Sequence, residues 1–301
     1  MNRKTLIFLA LMVVSALFLA YTWFLVYTDT ERSKLERLDF YDHFFENYSV
    51  QIVNSYKKTA EIAGASLADN PNFAAFSQSI LSPVNVFNIN DHYGFKAQFP
   101  QVYSQLMRQG FNQLIIEREF QTNQGSGFLW NEKTLVYEIS QTIHQPNFSD
   151  SLQLRFQFLA NKLLEANTVN YFADCKLGLL LIPNTFELNG NSSFNVLNVN
   201  GMKAYVSSGI NVGDPAFSSR NFRNFLKSKF ENQSDDLGSQ NKLSLVVRKG
   251  RRIQVLALNP IQGFHYQGQV FLVALVRDNF LEKLLVWKAL FLTVNGLMVV
   301  F

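Results

Sequence analysis

The sequence predicts a mixed α+β chain, with two transmembrane helices flanking a long stalk helix and two antiparallel-sheet modules. Three observations support this prediction. An uncharged apolar run, Leu6 to Tyr27, opens the chain, and a second one, Leu284 to Phe301, closes it with only Lys288 charged. Between them the apolar spacing changes from the three and four of helices to the alternation of strands. We therefore divide the chain into a first span (1–27), a stalk (28–70), two modules (71–188 and 189–278) and a second span (279–301).

The first apolar run is long enough to cross a bilayer as a helix. At about 1.5 Å per residue it spans the roughly 30 Å hydrocarbon core. Arg3 and Lys4 precede it, and this positive flank predicts a cytoplasmic N-terminus with everything after Tyr27 outside. The alternative is a cleaved signal peptide. We favour a retained anchor, because the run exceeds a usual signal core and no A-x-A site closes it.

The second apolar run predicts a second span. Lys288 lies near its start, from where a lysine can reach the membrane interface. An amphipathic helix packed on the globular part is the alternative, but apolar residues surround nearly every face after Ala289. The prediction is therefore a multi-pass membrane protein whose main domain is periplasmic or extracellular. Because the run stops at Phe301, the chain looks interrupted: either the natural protein is only the outer half of a larger assembly, or an output region has been lost or cut away.

Composition and motifs argue against several classes of function. The net charge is +4, but the basic residues are scattered, so we expect no nucleic-acid partner. A single cysteine, Cys175, excludes an intrachain disulfide. The four histidines are dispersed, without metal-ligand spacing, and no nucleophile elbow or phosphate-binding glycine loop occurs. We expect no metal, no cofactor and no enzymatic activity within these residues.

The stretch from Asp29 to Asp69 predicts one helix of about 40 residues, because apolar residues recur at helical spacing and Pro71 ends the pattern. We interpret it as a stalk that connects outer modules to the membrane; a long core helix is the alternative. The face of this helix near the membrane also predicts a homodimer. Leu35, Leu38 and Phe45 are spaced as a two-helix seam requires, where we expect no outer domain to cover them.

The first module combines short helices with strands. We expect helices at Asn72–Leu81 and Pro100–Gln109, and a helix from an Asp150 cap to Asn167. The predicted strands are Asn112–Gln121, Phe128–Trp130, Thr134–Ile143 and Leu177–Ile182.

The second module has a more regular pattern. Phe194–Val199 and Met202–Ser207 flank Asn200-Gly201, the strongest hairpin signal, and a helix over Ala216–Phe230 follows. Leu243–Arg248 and Ile253–Leu258 flank a second hairpin turn, and Val270–Val276 is the last strand. We expect Ser193 to Arg277 to form one antiparallel sheet with the helix against it.

This order of elements resembles a known family. FNVLNVNGMKAYVSSG (Phe194 to Gly209) is similar to the opening hairpin of a PAS-like module, and NPIQGFHYQGQVFLVALVRDNFLEKL (Asn259 to Leu284) is similar to its ending. The whole layout resembles the double Cache sensor regions of bacterial transmembrane receptors, which carry membrane-distal and membrane-proximal PAS-like modules. A single larger Cache module is the alternative architecture.

The resemblance implies a ligand-sensing input region in a bacterial inner membrane. It would pass a conformational change to a cytoplasmic output of the histidine kinase, chemoreceptor or diguanylate cyclase type. The aromatic–Arg–Asp signature of amino-acid-binding members is absent, so the resemblance does not supply the ligand. The alternative from a different class is a membrane-anchored binding or assembly protein that transmits nothing.

The candidate ligand site comprises Arg118, Trp130 and Tyr137. Arg118 lies in an otherwise apolar predicted strand, and the two aromatic residues lie on strands expected to be its neighbours. Aromatic walls with one charged anchor suit a small anionic or zwitterionic ligand. The alternative is ordinary core aromatics with an arginine on an edge strand.

Overall fold

The architecture is taken from a computed structural model. It describes residues 3–79, 83–89, 93–118, 126–131, 134–144, 151–165, 174–183, 194–231, 242–249, 252–261, 264–265 and 268–300. The first element, α1 (Arg3–Ala68), is a single helix of 66 residues. At about 1.5 Å per residue it is about 100 Å long. The prediction of one long helix running straight out of the apolar run is confirmed.

The remaining elements form a mixed α+β fold. The other helices are α2 (Pro71–Ser79), α3 (Tyr93–Gln98), α4 (Pro100–Gln109), α5 (Lys162–Glu165), α6 (Pro215–Ser218), α7 (Arg220–Glu231) and α8 (Asn279–Val300). The strands are β1 (Val84–Asn88), β2 (Gln113–Glu117), β3 (Gly127–Asn131), β4 (Thr134–His144), β5 (Ser151–Leu159), β6 (Cys175–Pro183), β7 (Phe194–Val199), β8 (Met202–Ser207), β9 (Leu243–Lys249), β10 (Arg252–Pro260), β11 (Phe264–His265) and β12 (Gly268–Arg277).

The first sheet has the strand order β1-β2-β5-β4-β3-β11. Its ladders are antiparallel except that β11 pairs parallel to β3. One face packs against α1, where the Tyr56 ring stacks on Phe158 with ring centroids 4.0 Å apart. Side chains of α2, α3 and α4 join the same core, including Phe73, Phe95 and Leu106. The described helices α1 to α4 thus contribute to one face of this sheet.

The second sheet has the order β7-β8-β6-β12-β10-β9. The five predicted strands between Phe194 and Arg277 do lie in one antiparallel sheet with α7 against it, where Phe225 contacts Phe271 edge-on. The short strand β11 of the same stretch pairs instead with β3 of the first sheet. The second sheet also contains β6, between β8 and β12. β6 lies within residues 71–188 and β11 within residues 189–278, so neither sheet is confined to one of the two predicted modules.

The predicted helix from Asp150 to Asn167 is wrong. The structure has strand β5 there, followed by the short α5. Leu152, Leu154, Phe156 and Phe158 alternate with polar residues, so as a strand their side chains all enter the core between the sheet and α1. A helix would have spread them over different faces. Pairing on both edges, with β2 and β4, stabilises the extended form.

One candidate membrane span occurs among the described residues, where two spans were predicted. It is the exposed apolar part of α1, beginning at Ile7. By length and composition it could be a membrane anchor or a signal sequence. The second predicted span does form a helix, α8, but the described residues of α8 are not a candidate membrane span. The side chains of residues 285 and 295–300 lie outside the described set.

Candidate functional site at the junction of α1, β12 and α8

The carboxylate of Asp278 lies at the point where β12 ends and α8 begins. Its side chain is fully buried. Oδ1 accepts hydrogen bonds from the backbone N–H groups of Phe280, at 2.8 Å, and Leu281, at 2.9 Å. These are two of the N–H groups that the start of a helix leaves without an intrahelical partner, so Asp278 is the N-cap of α8.

The second carboxylate oxygen of Asp278 binds the long helix. Oδ2 accepts a hydrogen bond from Tyr41 Oη at 2.7 Å and from Arg37 Nε at 2.9 Å. These two donors lie four residues apart, on one face of α1. The carboxylate is therefore satisfied by four donors, and it joins the first helix to the last one. We call this set, Arg37, Tyr41 and Asp278, the junction.

Aromatic packing and desolvation reinforce the junction. The Arg37 guanidinium carbon lies 5.3 Å from the centroid of Phe40 and 5.5 Å from that of Phe280. Burial, and then the hydrogen bond to Asp278, raise the pKa of Tyr41 well above its usual range. The phenol therefore stays protonated and acts as a donor at physiological pH.

A second group of ion pairs surrounds the start of α8. Arg277 contacts Glu282 through two bonds, each 3.1 Å long. Glu282 Oε1 also accepts the backbone N–H of Ile253 in β10, at 3.0 Å. The hydrogen bond from Arg277 lowers the pKa of Glu282, so this carboxylate remains charged. The first turn of α8 is thereby tied to β10 and β12 of the second sheet as well as to α1.

Room exists beside the junction. A cavity of about 180 Å³ is lined by α1, β9, β10 and α8, with Thr30, Lys34, Ile253, Leu281 and Leu284 among its residues.

Further along α1, Lys242 Nζ lies 2.8 Å from Glu46 Oε2, and Ser244 donates a hydrogen bond to Asp42. The part of α1 that follows the apolar run is thus attached to the second sheet along one face.

The structure does not bring the predicted ligand-site residues together. Arg118 is exposed, and its guanidinium donates to the carbonyl of Ser77 near the end of α2. Tyr137 is fully buried beside Phe128 and Phe158. Burial raises the pKa of its phenol.

The sheet register separates these two residues. Glu117, next to Arg118, pairs with Gln153, which pairs with Thr142. Thr142 is five residues from Tyr137, or about 17 Å along the strand. Trp130 pairs through its backbone with Leu135, and its side chain lies outside the described residues.

The three predicted dimer-seam residues have different environments. Leu35 is 63% exposed, Leu38 is half-buried against the core, and Phe45 is 0% exposed within its own chain. We expected no outer domain to cover this part of the helix, but β9 and β10 pack against it. Phe45 therefore has no surface left for a partner chain in this arrangement, whereas Leu35 does.

Sequence reasoning missed the junction. The sequence does contain a signal for the N-cap role of Asp278, which follows a strand and precedes an apolar helix. No local pattern connects Arg37 or Tyr41 with a carboxylate 241 or 237 residues away. Their pairing depends on the way the second sheet docks on α1.

No known protein family and no curated protein matches this sequence. A functional assignment for this chain therefore rests on its geometry.

Proposed function

We propose that this chain is the extracytoplasmic sensing region of a bacterial membrane receptor, with α1 as its anchor and α8 as its second span. The observation that carries the proposal is the Asp278 carboxylate. It binds α1 through one oxygen and caps α8 through the other, at the end of the central strand β12. A displacement of the second sheet relative to α1 must therefore change the position of α8.

The relative position of the two helices supports the proposal. Lys288 Nζ lies 4.5 Å from the ring centroid of Tyr27, the last residue of the first apolar run. The helix α8 thus lies beside α1 at the depth where that run ends. Two helices entering a bilayer side by side can carry a sliding or rotational change across it. A lysine and a tyrosine suit the interfacial depth.

The proposed mechanism is a shift between two arrangements of the junction. A ligand can shift such an equilibrium only if it binds one arrangement more tightly than the other. The ligand would act on the outer sheets, and the output would be a cytoplasmic domain of the kinase, chemoreceptor or cyclase type. In a homodimer, the exposed Leu35 side of α1 would face the partner chain.

Reporter fusions test the two-span topology that the receptor proposal requires. A periplasm-active reporter and a cytoplasm-active reporter are each fused after Arg37 and after Phe301. We expect the first position to be outside the cytoplasm and the second inside it. If the position after Phe301 is also outside, α8 does not cross the membrane, and the receptor proposal is wrong.

A further inference from the structure

The hairpin of β9 and β10 carries a high density of positive charge around its turn. Arg248, near the end of β9, and Arg252, the first residue of β10, are both exposed. The sequence between them adds Lys249 and Arg251, so residues 248–252 hold four cations and no acidic residue. We call the two described arginine side chains, Arg248 and Arg252, the basic tip.

Contacts with α1 show the direction in which this hairpin points. Ser244, near the beginning of β9, donates a hydrogen bond to Asp42 of α1. Arg248, near the end of β9, lines the cavity of about 180 Å³ together with Thr30 of α1. As β9 runs toward its turn, it therefore passes from the level of residue 42 to that of residue 30. The hairpin thus points along α1 toward the apolar run.

The basic tip lies close to the level at which the apolar run ends. Thr30 and Lys34, which line the cavity with Arg248, are three and seven residues beyond Tyr27. At about 1.5 Å per residue, they lie about 4–11 Å beyond it along the helix axis. The headgroup layer on each side of a bilayer is about 5–8 Å thick, since a core of about 30 Å lies within a total of about 40–45 Å. A chain anchored through this run therefore holds the basic tip at the headgroup layer.

The surroundings of the basic tip have an excess of positive charge. Glu31, which also lines the cavity, lies 3.3 Å from Lys34. Glu282, which binds the backbone of β10 next to the tip, lies 3.1 Å from Arg277. Each of these two acidic side chains thus has a cation of its own. Lys288, over the ring of Tyr27, adds a further cation on α8.

We propose that the basic tip binds the phosphate groups of anionic phospholipids in the membrane that α1 enters. A guanidinium group matches a phosphate group in charge and donates paired N–H bonds to its oxygens. Each lysine or arginine held at an anionic bilayer surface strengthens the attachment about fivefold. The inference rests on the anchoring by α1 in the proposed function, and it adds a second attachment to the membrane, through the second sheet.

This attachment would act on the junction. β10 carries Arg252 at its start and pairs along its length with β12, which leads directly into Asp278. Lipid bound at the basic tip therefore restrains the strand pair that positions α8. The content of anionic lipid in the membrane would then favour one arrangement of the junction over the other.

Melting of the full chain in lipid nanodiscs tests the inference. Nanodiscs of phosphatidylcholine are compared with nanodiscs of phosphatidylcholine and phosphatidylglycerol in equal parts. We expect the anionic lipid to raise the melting temperature by about 4–8 °C, from the contribution of two arginines, and high salt to abolish the rise. The absence of a rise, or a rise that salt does not reduce, would overturn the inference.

A soluble phosphate distinguishes the membrane from a free ligand. Glycerol 3-phosphate added to nanodiscs of phosphatidylcholine alone should leave the melting temperature unchanged. A rise equal to that with phosphatidylglycerol would mean that the tip binds a soluble phosphate compound, and the lipid assignment would be wrong.

A double variant locates the lipid contact. Arg248→Gln combined with Arg252→Gln should abolish the rise that the anionic lipid produces. The variant is compared with its own melting temperature in phosphatidylcholine, so a small change in stability cancels. A full rise in this variant would contradict the assignment.

The matched control is Arg220→Gln combined with Arg223→Gln, which removes two exposed arginines of α7. This helix packs on Phe271, whose partner in β10 is Pro260. Pro260 lies about 27 Å along the strand from Arg252, at the end remote from the tip. The control should keep the full rise, and an equal loss in both double variants would show only a general effect of charge.

Fluorescence quenching tests the depth of the tip directly. A fluorophore is attached through Arg252→Cys in a Cys175→Ala background and is quenched by lipids that carry a nitroxide on the headgroup. We expect strong quenching there and little at a fluorophore attached through Arg223→Cys. Equal quenching at the two positions would place the hairpin away from the membrane surface.

The two proposals can fail separately. If anionic lipid acts through the basic tip but the reporter after Phe301 lies outside, the lipid contact stands and the receptor function is wrong. If α8 crosses the membrane and the tip shows no preference for anionic lipid, the reverse holds.

Discussion

Asp278 is the single residue on which the attachment of α8 to α1 most depends. Replacing it with Asn keeps the side-chain shape but puts an NH2 donor in place of one carboxylate oxygen. This NH2 group must then face other donors, either Arg37 and Tyr41 or the N–H groups at the start of α8. We expect Asp278→Asn to lower the free energy of unfolding by roughly 2–4 kcal/mol, since a buried charged partner is lost. Chemical denaturation of the full chain would measure the change.

Two matched variants separate this effect from a general loss of charge. Tyr41→Phe removes only one of the four donors to Asp278 and should cost about 1 kcal/mol. Asp39→Asn removes a carboxylate that is 73% exposed on α1, and should change stability by less than about 0.5 kcal/mol. An Asp278→Asn variant as stable as Asp39→Asn would mean that the junction does not hold the helices together.

The reactivity of the Cys175 thiol depends on pH. Burial raises the pKa of its thiol to about 12. The thiolate is the reactive form, and at pH 8 it would be about 10⁻⁴ of the population, against roughly a quarter for an unperturbed thiol with a pKa near 8.5. Iodoacetamide should therefore label the folded chain at least 100-fold more slowly than the unfolded chain.

A cysteine introduced at the exposed Leu35 in a Cys175→Ala background should react at the rate of a free thiol. Rapid labelling of native Cys175 at pH 8 would show that β6 does not shield it as the structure indicates.

At the scale of elements, the β7–β8 hairpin shows a turn that its two central residues specify. Asn200 has φ 52° and Gly201 has φ 84°, the positive values of a type I′ turn. A Cβ added at Gly201 would meet nothing within 4 Å, so a substitution there would be opposed by backbone conformation alone. We expect Gly201→Ala to destabilise the chain by about 1 kcal/mol, measured by thermal or chemical unfolding.

Gly209 is the matched control, because it has equal space and no positive φ of this kind. Gly209→Ala should be neutral or stabilise by up to about 1 kcal/mol, since alanine restricts the unfolded chain. Equal losses from both variants would indicate that the cost at Gly201 does not arise from its backbone angle.

The elements also show what local patterns can and cannot predict. The Asn200-Gly201 hairpin and the end of α1 before Pro71 follow from the chemistry of two or three neighbouring residues, and both are confirmed. β5 was misread because Leu152, Phe156 and Leu159 match helical spacing, although Leu154 and Phe158 complete an equally good alternation. Only pairing with β2 and β4 decides between the two.

Distant contacts account for the rest. β6 belongs to the second sheet because it pairs with β8 and β12, which lie later in the chain. Arg118 and Tyr137 were predicted to lie on neighbouring strands, but the register of the sheet places them far apart. The junction joins residues at opposite ends of the chain. Each of these features depends on tertiary packing, which overrides local propensity.

At the scale of the whole molecule, one hydrophobic core connects both sheets. The cluster that contains Tyr56 and Phe158 of the first sheet's core continues through α1 to Val255 and Leu272 of the second sheet. We therefore expect the two sheets to unfold together. In native-state hydrogen exchange, the slowest amides of β4 and β12 should report the same free energy of opening.

Helix α7 provides the comparison for this experiment. It belongs to a separate cluster, on the other face of the second sheet, with Phe222 and Leu226. Its amides should exchange through an opening of lower free energy. Two widely different values for β4 and β12 would show that the sheets are independent domains.

The position of β12 has a consequence for synthesis of the chain. This strand lies between β6 and β10, yet it is the last of the described strands to leave the ribosome. Until β12 has been synthesised, one edge of β6 and one edge of β10 are unpaired. Unpaired strand edges can pair with other chains, which leads to aggregation. The strand that closes the sheet is followed at once by Asp278 and α8. Completion of the second sheet and synthesis of α8 are thus nearly simultaneous, and a translational pause before residue 268 would prolong the aggregation-prone stage.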